Sequence, residues 1–378
     1  MPILIDEIRV FGFRGLENVA VNFPRVTILI GTNNSGKTSV IKALQLALGD
    51  YSRYLTDEDF YIDASEVRSN EIKVDIRIIP IDDHGTRTAT FDNEWTEEFG
   101  DRIRAEASGQ QFHAIRTVAS PDHVKGGYAI DRYVLDTWPD IATWQLEAVS
   151  TKSRLNKRYE LIPFISIDAQ RDIHQELNEK SSFVGKVLSS VQYEKSDVVA
   201  LEKMIADINK HAVDKSAPLK SLKEHLTSLN DSFGGSGNAE VTPFPKKIRD
   251  LSKRFSVHFG DSPTSSFSME YHGMGTRSWA SMLAVKAFME LTAQNHEAEA
   301  EPFHPIMAAE EPEAHLHPNA QRSLFRQLVA SKGQILISTH SPYLAAMSDL
   351  KSLRCLTVPS RMITFPLGDL RCSWQDLF

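Results

Sequence analysis

The sequence predicts an α/β fold in which apolar strands end in polar side chains. Three observations carry this prediction. A glycine-rich loop follows an apolar strand and precedes a helix, a second apolar strand runs into paired carboxylates, and a third ends in a tip that contains a histidine. Polar residues at the carboxyl end of an apolar strand lie where ligands bind in open α/β sheets.

The glycine-rich loop is the most specific of the three. Residues 31–38 read Gly-Thr-Asn-Asn-Ser-Gly-Lys-Thr and fit the phosphate-loop pattern at every fixed position. Residues 25–30 before the loop are apolar and β-branched, and residues 39–48 after it have apolar positions at helical spacing. In a strand–loop–helix context, backbone N–H groups and the helix N-terminus bind phosphates. The sequence therefore predicts a nucleoside triphosphate site formed by Gly31, Asn33, Asn34, Ser35, Gly36, Lys37, Thr38 and Ser39.

Within this loop two side chains have distinct expected roles. Lys37 would neutralise phosphate oxygens and contribute to catalysis, and the Thr38 hydroxyl would ligate Mg²⁺.

Composition limits the class of protein. The 378 residues include 42 Lys and Arg against 50 Asp and Glu, a net charge of −8, which argues against a surface built throughout for nucleic acid. Two local basic clusters remain, and each is either a DNA contact or solvated surface. The first cluster is Lys152, Arg154, Lys157 and Arg158, and the second is Lys246, Lys247, Arg249, Lys253 and Arg254.

The sequence contains no apolar run of the about 18 residues needed to span a bilayer and no secretory signal. We therefore expect a cytoplasmic protein with no membrane contact. Cys355 and Cys372 lie outside any metal-type spacing, so reduced thiols are expected.

The first half of the chain predicts further strands. Residues 1–30 indicate a hairpin that feeds the phosphate-loop strand, and 71–79 alternate polar and apolar residues, which predicts a strand with one solvent-facing side. Residues 86–91 and 128–135 are also strand candidates, whereas 92–127 lack clear periodicity. An apolar strand at 161–167 ends in the polar residues 168–172.

Residues 175–230 differ in character. Leu201, Ile205, Ile208 and Ala212 form one heptad-like seam, and Leu219, Leu222, Leu226 and Leu229 form another. Pro218 separates the two seams, which predicts a helical hairpin. The seams face either the protein's own core or a second copy in a dimer-forming arm. Residues 231–238 are glycine- and serine-rich and predict a flexible connector.

The last third contains the remaining chemistry. Residues 271–277 lead into a helix, and an apolar strand at 305–309 runs into Glu310 and Glu311. The strand at 334–338 ends before Thr339 and His340.

Taken together, residues 13–16, 31–39, 310–318 and 338–342 resemble the ABC-type ATPases of the SMC and RecF group, and above all the ATPase domain of the OLD (overcoming lysogenization defect) family. The resemblance covers 1–50, 160–172 and 265–350. It implies an α/β ABC-type ATPase head, a phosphate-loop NTPase fold with a mixed sheet, flanking helices and an antiparallel β subdomain. The head would comprise 1–174 and 239–378, with an inserted helical hairpin and connector at 175–238.

The resemblance assigns roles to individual residues. Glu310 corresponds to the Walker B acid that holds Mg²⁺, Glu311 to the carboxylate that activates the attacking water, and His340 to the switch histidine that reads the γ-phosphate. Gln170 falls in the Q-loop as a metal ligand, although Asp168 or Arg171 are alternatives there.

Other assignments are less direct. Arg14 is either a nucleotide contact or a solvated turn residue, and His315 and His317 with Glu313 are either a zinc site or structural. Gly273 and Gly275 occupy the place of the signature motif, which in the family contacts nucleotide bound by the opposite subunit. This stretch lacks the serine and glutamine of the transporter form, which favours an OLD-like or RecF-like protein. In the family two heads sandwich ATP, so a homodimer or higher oligomer is implied.

OLD nucleases usually continue past the switch histidine into a Toprim nuclease domain, and residues 343–378 are too few for one. We therefore expect a stand-alone Mg²⁺-dependent ATPase that acts as an oligomeric sensor or scaffold and controls a separate nuclease effector in anti-phage defence. The alternatives are a RecF-like repair ATPase that clamps DNA directly, the ATPase part of an OLD nuclease without its Toprim domain, or a nucleotide-binding scaffold that does not hydrolyse ATP.

Overall fold

The computed structural model divides into two compact units. The first comprises Met1–Arg171 and Met274–Phe378, and the second comprises Asp172–Gly273. The sequence-based boundary placed the end of the insert at 238, whereas the second unit extends to Gly273. The described residues are 2–49, 51, 54–122, 124, 126–168, 194–232, 242–244, 258–259, 267–268, 273–357 and 361–364. Several residues considered above lie outside these ranges, namely Gln170, Arg171, most of the connector at 231–238, the second basic cluster and Cys372.

Runs of consecutive strands are interrupted by helices along the chain. The strands are β1 (Ile3–Phe13), β2 (Leu16–Asn22), β3 (Val26–Ile30), β4 (Ile72–Pro80), β5 (Arg104–Ala105), β6 (Gln111–Pro121), β7 (Tyr128–Val134), β8 (Phe164–Ile167), β9 (His258–Phe259), β10 (Phe267–Ser268), β11 (Ile306–Glu310), β12 (Gln334–Ser338), β13 (Leu353–Thr357) and β14 (Arg361–Thr364). The helices are α1 (Lys37–Leu48), α2 (Asn93–Phe99), α3 (Lys195–Lys215), α4 (Ala217–Ser232), α5 (Met274–Ala298), α6 (Pro318–Val329) and α7 (Pro342–Met347). None of the helices in the described ranges is both long and apolar enough to cross a membrane.

A mixed, mainly parallel sheet forms the centre of the first unit. Its order is β14-β13-β3-β12-β11-β8, and every neighbouring pair is parallel except β13 with β14. The inner strands β3, β11 and β12 are buried along nearly their whole length, as their continuous apolar runs require for a sheet covered on both faces. Because these strands are parallel, the loop after β3, the carboxylates after β11 and the histidine after β12 emerge at the same edge.

The second sheet of this unit is antiparallel, in the order β2-β1-β4-β6-β5, with β7 paired to β6. The predicted N-terminal hairpin is confirmed, because β1 and β2 pair from Phe13 with Leu16 to Glu7 with Asn22. Gln334 joins the two sheets, since its side-chain amide donates to the Ile5 carbonyl (2.8 Å) and accepts from the Ile5 N–H (3.1 Å). The apolar face of α1 packs into one core cluster with side chains of both sheets, including Val40, Ile41, Leu44, Ile8, Val10, Ile76, Ile306 and Leu336.

The expectation of a solvent-facing side on the 71–79 strand is wrong for the centre of that strand. Asp75 on β4 and Arg116 on β6 have exposed fractions of only 0% and 1%. The segment 136–149 covers them, and Arg116 donates to the carbonyls of Trp144 (2.7 Å) and Glu147 (2.6 Å). Alternation correctly indicates a polar face, but it does not reveal that another segment of the chain buries that face.

Residues 86–91 are not a strand. The structure has only an isolated bridge between Ile81 and Arg87 here, because the backbone is held by scattered contacts instead of a ladder. Phe91 N–H, for example, donates to the Gln111 side-chain oxygen (2.9 Å). The unassigned stretch that follows contains α2, which the Asp92 side chain caps by accepting from Trp95 N–H, and the strands β5 and β6.

In the second unit, α3 and α4 are separated by Ser216. Pro218 lies in the first turn of α4, where its missing N–H costs no helical hydrogen bond. In the first seam, the exposed fractions of Leu201 and Ile208 are 37% and 55%. The Asn209 side chain exchanges two hydrogen bonds with the backbone of Phe244, at 3.0 and 2.8 Å.

Candidate active site

The phosphate loop connects β3 to α1 and has the conformation that its glycines allow. Gly31 has φ 149°, and a Cβ there would clash with the carbonyl oxygen of Leu356 on β13. Gly36 has φ 98° in the left-handed region and directly precedes the helix. Thr32, Asn33 and Asn34 are exposed, Ser35 is buried, and Gly36 and Ser39 are half-buried. The loop therefore presents backbone N–H groups and a helix N-terminus at the sheet edge, an arrangement that binds phosphate.

Lys37 lies across the base of this loop. Its Nζ donates to the carbonyl oxygens of Gly31 (2.8 Å) and Thr32 (2.9 Å). Burial lowers the pKa of Lys37, and the nearby negative charge of Glu311 opposes that effect. An ammonium held by neutral carbonyls in a buried position would gain from an anionic partner, which is the role expected of this lysine.

The residues predicted to hold metal converge beside the loop. The Thr38 hydroxyl donates to Glu310 Oε2 (3.0 Å), and Glu310 Oε1 lies 3.4 Å from the Nζ of Lys42. Lys42 also donates to Asp168 Oδ1 (3.1 Å) at the end of β8. Burial is the main cause that raises the pKa of Glu310, and the charge of Asp168 adds to it, while Lys42 and Thr38 act in the opposite direction. The structure thus brings Thr38 and Glu310 together.

Sequence reasoning did not single out Lys42. The signal was available, because Lys42 follows Thr38 by four positions on α1 and so projects from the same helix face. Asp168, one of the alternatives at the Q-loop position, lies in this group, whereas Gln170 is outside the described residues.

Glu311 and His340 form a second pair at the edge. Glu311 has φ 45°, unusual for a residue with a side chain, and its N–H donates to the Ser338 carbonyl (2.9 Å). This geometry turns Glu311 away from Glu310, and its Oε1 lies 3.4 Å from His340 Nε2. Both side chains are partly exposed, at 49% and 35%, so solvent and ligand can reach them.

Arg14 is hydrogen-bonded to other protein groups, so it is not simply a solvated turn residue. It has φ 51°, and its guanidinium donates to Asp59 Oδ1 (2.8 Å) and to the Tyr51 hydroxyl (2.5 Å). Tyr51 in turn donates to Asp59 Oδ1 (2.8 Å), and burial together with this hydrogen bond raises the pKa of Tyr51 to about 12. Arg14 is therefore held by two protein groups, and its contact with nucleotide stays a prediction.

The signature glycines differ from each other. Gly275 is buried in the first turn of α5, where a Cβ would clash with the carbonyl oxygen of His315. Gly273 is exposed and has open space around its Cα. His315 has φ 63°, and His317 caps α6 by accepting from Asn319 N–H (3.4 Å). His317 thus has a structural role at the start of α6, and the described part of the chain contains no group of three His, Cys, Asp or Glu side chains that could hold a metal ion.

The first basic cluster is partly engaged within the chain. Arg154 pairs with Asp131, and Arg158 donates to the Gly49 carbonyl at the end of α1. Arg132 on β7 donates to the carbonyls of Leu46 and Ala47, both at 2.9 Å, so two arginines satisfy the C-terminal end of the phosphate-loop helix.

The fold and this edge define a phosphate-loop ATPase whose head is assembled from both ends of the chain. A scan against family models agrees, since the AAA ATPase domain model AAA_15 matches residues 4–106 and 133–345. The chain therefore belongs to that family, and its motifs resemble those of the OLD-family ABC-type ATPases.

Two curated relatives are nucleases. The chain is 23% identical to an OLD nuclease of Thermus scotoductus over 93% of its length, and 23% identical to an Old nuclease of Escherichia phage P2 over 90%. It spans 61% and 57% of the lengths of these relatives, about three fifths in each case.

Similar solved structures include the SmcHead bound to the C-winged helix domain of ScpA, with a TM-score of 0.47 and 14% identity over 96% of this chain and 98% of that one. The recombination mediator protein RecF with ATP has a TM-score of 0.44 and 13% identity over 96% and 99%. At these scores the similarity carries no weight for function.

Proposed function

We propose that this chain is a Mg²⁺-dependent ATP hydrolase that works as a homodimer or higher oligomer and controls a nuclease. The observation that carries the proposal is the convergence of three groups at one edge of the parallel sheet. These are Lys37 under the phosphate loop, the Thr38–Glu310 pair, and the Glu311–His340 pair.

The phosphate loop suits the triphosphate. Its exposed backbone at 32–34 and the N-terminus of α1 would contact phosphate oxygens, and Lys37 would exchange its carbonyl partners for them. The loop contacts phosphates and not the base, so adenine as the base rests on membership of an ATPase family.

The metal-side residues suit Mg²⁺, which prefers hydroxyl and carboxylate oxygens. Thr38 and Glu310 would hold the ion, because their oxygens already meet and Glu310 Oε1 is held by a long 3.4 Å ion pair with Lys42. When bound, Mg²⁺ neutralises charge on the phosphoryl group that is transferred. Asp168, which shares Lys42 with Glu310, is a further candidate ligand, and Gln170 stays a prediction from the sequence.

Glu311 would act as the general base. Its carboxylate is exposed and faces the same edge as the loop, so a water molecule can lie between it and the terminal phosphate. His340, in contact with Glu311, would contact the γ-phosphate. Gly273, which is exposed, would meet nucleotide bound by a second copy, so the site would be complete only in an oligomer.

The nuclease link comes from the two relatives, whose printed names are nucleases. We propose that the effector is a separate subunit that the ATPase holds and releases in anti-phage defence, with DNA as a further partner of the assembly.

The hydrolysis proposal is tested with Glu311→Gln. We expect the rate of phosphate release from ATP to fall by about 10²- to 10⁴-fold, because a general base contributes that much, while ATP affinity is retained. The variant should accumulate as an ATP-bound dimer in size-exclusion chromatography with light scattering. Glu97→Gln, an exposed glutamate on α2, is the matched control. Wild-type turnover in Glu311→Gln would contradict the role, and a wild-type chain that binds ATP without hydrolysis would favour a scaffold.

The effector proposal is tested by recovering the tagged chain from its native host and recording native mass spectra with and without ATP. A stoichiometric nuclease subunit on an oligomeric ATPase is the expected result. A bare dimer that recovers only DNA, with strongly salt-dependent affinity, would overturn it in favour of a DNA clamp.

A further inference from the structure

The turn that follows the paired carboxylates contains a third acidic residue, Glu313, whose carboxylate reaches across to the turn after β12. Its Oε1 accepts three hydrogen bonds, from the Thr339 hydroxyl (2.5 Å), the His340 N–H (2.9 Å) and the Ser341 N–H (3.1 Å). Glu313 and His340 are separated by 27 positions in sequence. One carboxylate oxygen therefore links the backbone of the switch histidine to the strand end that carries Glu310 and Glu311.

The same turn contacts His340 a second time. Glu311 Oε1 lies 3.4 Å from the imidazole Nε2, while Glu313 holds the N–H of the same residue. His340 is thus fixed by two carboxylates two residues apart, one at its ring and one at its backbone. Glu311 itself is held by its N–H bond to the Ser338 carbonyl, so the two turns are connected in both directions.

Other contacts hold the neighbours of His340, among them a hydrogen bond from the Ser341 N–H to the Thr339 hydroxyl (2.9 Å). Thr339 N–H donates to the Leu29 carbonyl on β3 (3.0 Å), and Ser341 Oγ donates to Gln321 Oε1 on α6 (2.9 Å). Glu313 supplies the acceptor between these two anchors. Its charge strengthens each of its three hydrogen bonds relative to a neutral acceptor.

We infer that Glu313 is a positioning residue that sets the backbone of His340 so that the imidazole stays against Glu311 and faces the phosphate loop. This inference rests on the proposed ATP hydrolysis. Its physical basis is that a displacement of a catalytic group by about 1 Å is enough to reduce a rate by about a hundredfold. Without the Glu313 acceptor, three donors at the tip of β12 would lose their common partner and the turn could move.

The test is a double-mutant cycle on the full chain. Glu313→Ala should lower kcat for ATP by about 10- to 100-fold, the range seen when groups that orient a functional histidine are removed, with KM within about twofold of wild type. In a His340→Ala background the same change should lower kcat by less than about twofold, because Glu313 acts through His340. Glu313→Gln keeps the volume and one acceptor oxygen, so its kcat should lie between wild type and Glu313→Ala, and it carries the cycle if the alanine variant does not fold.

The control is Glu97→Gln, which should leave kcat and the thermal midpoint unchanged. Losses for Glu313 and His340 that are fully additive, or wild-type kcat in both Glu313 variants, would overturn the inference.

A measurement that does not depend on ATP turnover tests this inference independently of the proposed function. With isotope-labelled histidine, the His340 imidazole resonance, assigned by its loss in His340→Asn, should shift in Glu313→Gln and stay in place in Glu97→Gln. A wild-type chain that does not hydrolyse ATP would remove the proposed function and still leave this resonance test in force. An unmoved resonance in Glu313→Gln would overturn the positioning role whatever the activity.

Discussion

Two regions of the first unit contain charged side chains close together. They differ in how many hydrogen-bond partners the protein supplies to these side chains. On the antiparallel sheet, Arg116 donates from Nε and Nη2 to both oxygens of Asp75 (2.7 and 2.6 Å) and also binds two backbone carbonyls, beneath the covering segment 136–149. At the edge of the parallel sheet, Glu311 and His340 share one 3.4 Å contact and are partly exposed. Complete sets of internal partners indicate a structural role, whereas incomplete sets that face solvent indicate a place for a ligand.

Glu310 lies between these extremes. It is largely buried like Asp75, yet its ion pair with Lys42 is long, at 3.4 Å, and Lys42 also pairs with Asp168 at 3.1 Å. Replacing each carboxylate by the corresponding amide, in Glu310→Gln and Asp75→Asn, therefore distinguishes a ligand site from a structural ion pair.

Of the two amide substitutions, Glu310→Gln should have the larger effect on activity. We expect ATP turnover to fall by at least about 100-fold, because an amide cannot supply the charge that holds Mg²⁺. The free energy of unfolding should change by less than about 1 kcal/mol, since the amide keeps the volume and an acceptor oxygen for the Thr38 hydroxyl, and Lys42 keeps its ion pair with Asp168. Phosphate release and urea denaturation measure the two quantities, with Glu97→Gln as control. A large loss of stability with intact ATP turnover would show that Glu310 has a structural role and not a ligand role.

Asp75→Asn should do the opposite. It leaves the Arg116 guanidinium buried at 1% exposure without its anion, which typically costs about 3–5 kcal/mol of stability. ATP turnover per folded molecule should be unchanged, because Asp75 is paired on the antiparallel sheet away from the carboxyl ends of the parallel strands.

The matched control for Asp75→Asn is Asp131→Asn. Asp131 pairs with Arg154, whose side chain is 58% exposed, so this change should cost less than about 1 kcal/mol. Equal shifts of the urea midpoint for the two variants would show that the Asp75 pair is worth no more than a surface pair.

Sequence reasoning predicted the parts of the molecule that local patterns encode. The loop at 31–38, the acidic strand end at Glu310 and Glu311, and the tip at His340 each follow an apolar strand, and parallel pairing brings them to one edge. The hairpin of β1 and β2 was predicted for the same reason, because its alternation and its turn are contiguous in sequence.

What could not be predicted depends on contacts between distant residues. Glu313 gave no local sign that its carboxylate would meet His340, and alternation along β4 did not show that Trp144 and its neighbours would cover Asp75. The incorrect prediction of a strand at 86–91 arose because a local pattern was present and the distant partner was not. Its β-branched composition favours extended backbone, but extended residues become a strand only when a neighbour pairs with them, and only Arg87 forms a bridge.

The smallest expected effect concerns His113 on β6. This buried side chain has no charged partner in the described structure, so it extends the comparison to a buried group that is not in an ion pair. Its ring stacks on Phe99 with centroids 4.5 Å apart, and its Nδ1 lies 3.2 Å from the Arg102 carbonyl. Burial lowers the pKa of His113 to about 4, below about 6.5 in the unfolded chain. The unfolded state therefore binds the proton more readily, so stability that is present above pH 6.5 is lost as the pH falls toward 4.

His113→Gln should reduce this acid sensitivity by about 2 kcal/mol between pH 6.5 and pH 5, since each unit of pKa difference is worth about 1.4 kcal/mol. Urea denaturation at several pH values measures the slope, and His84→Gln, at an exposed turn, should leave it unchanged. Part of the slope should persist in His113→Gln, because burial also lowers the pKa of His304 to about 4. An unaltered slope in His113→Gln would mean that the ring is protonated in place, and that a buried group on this sheet can take up charge without a partner.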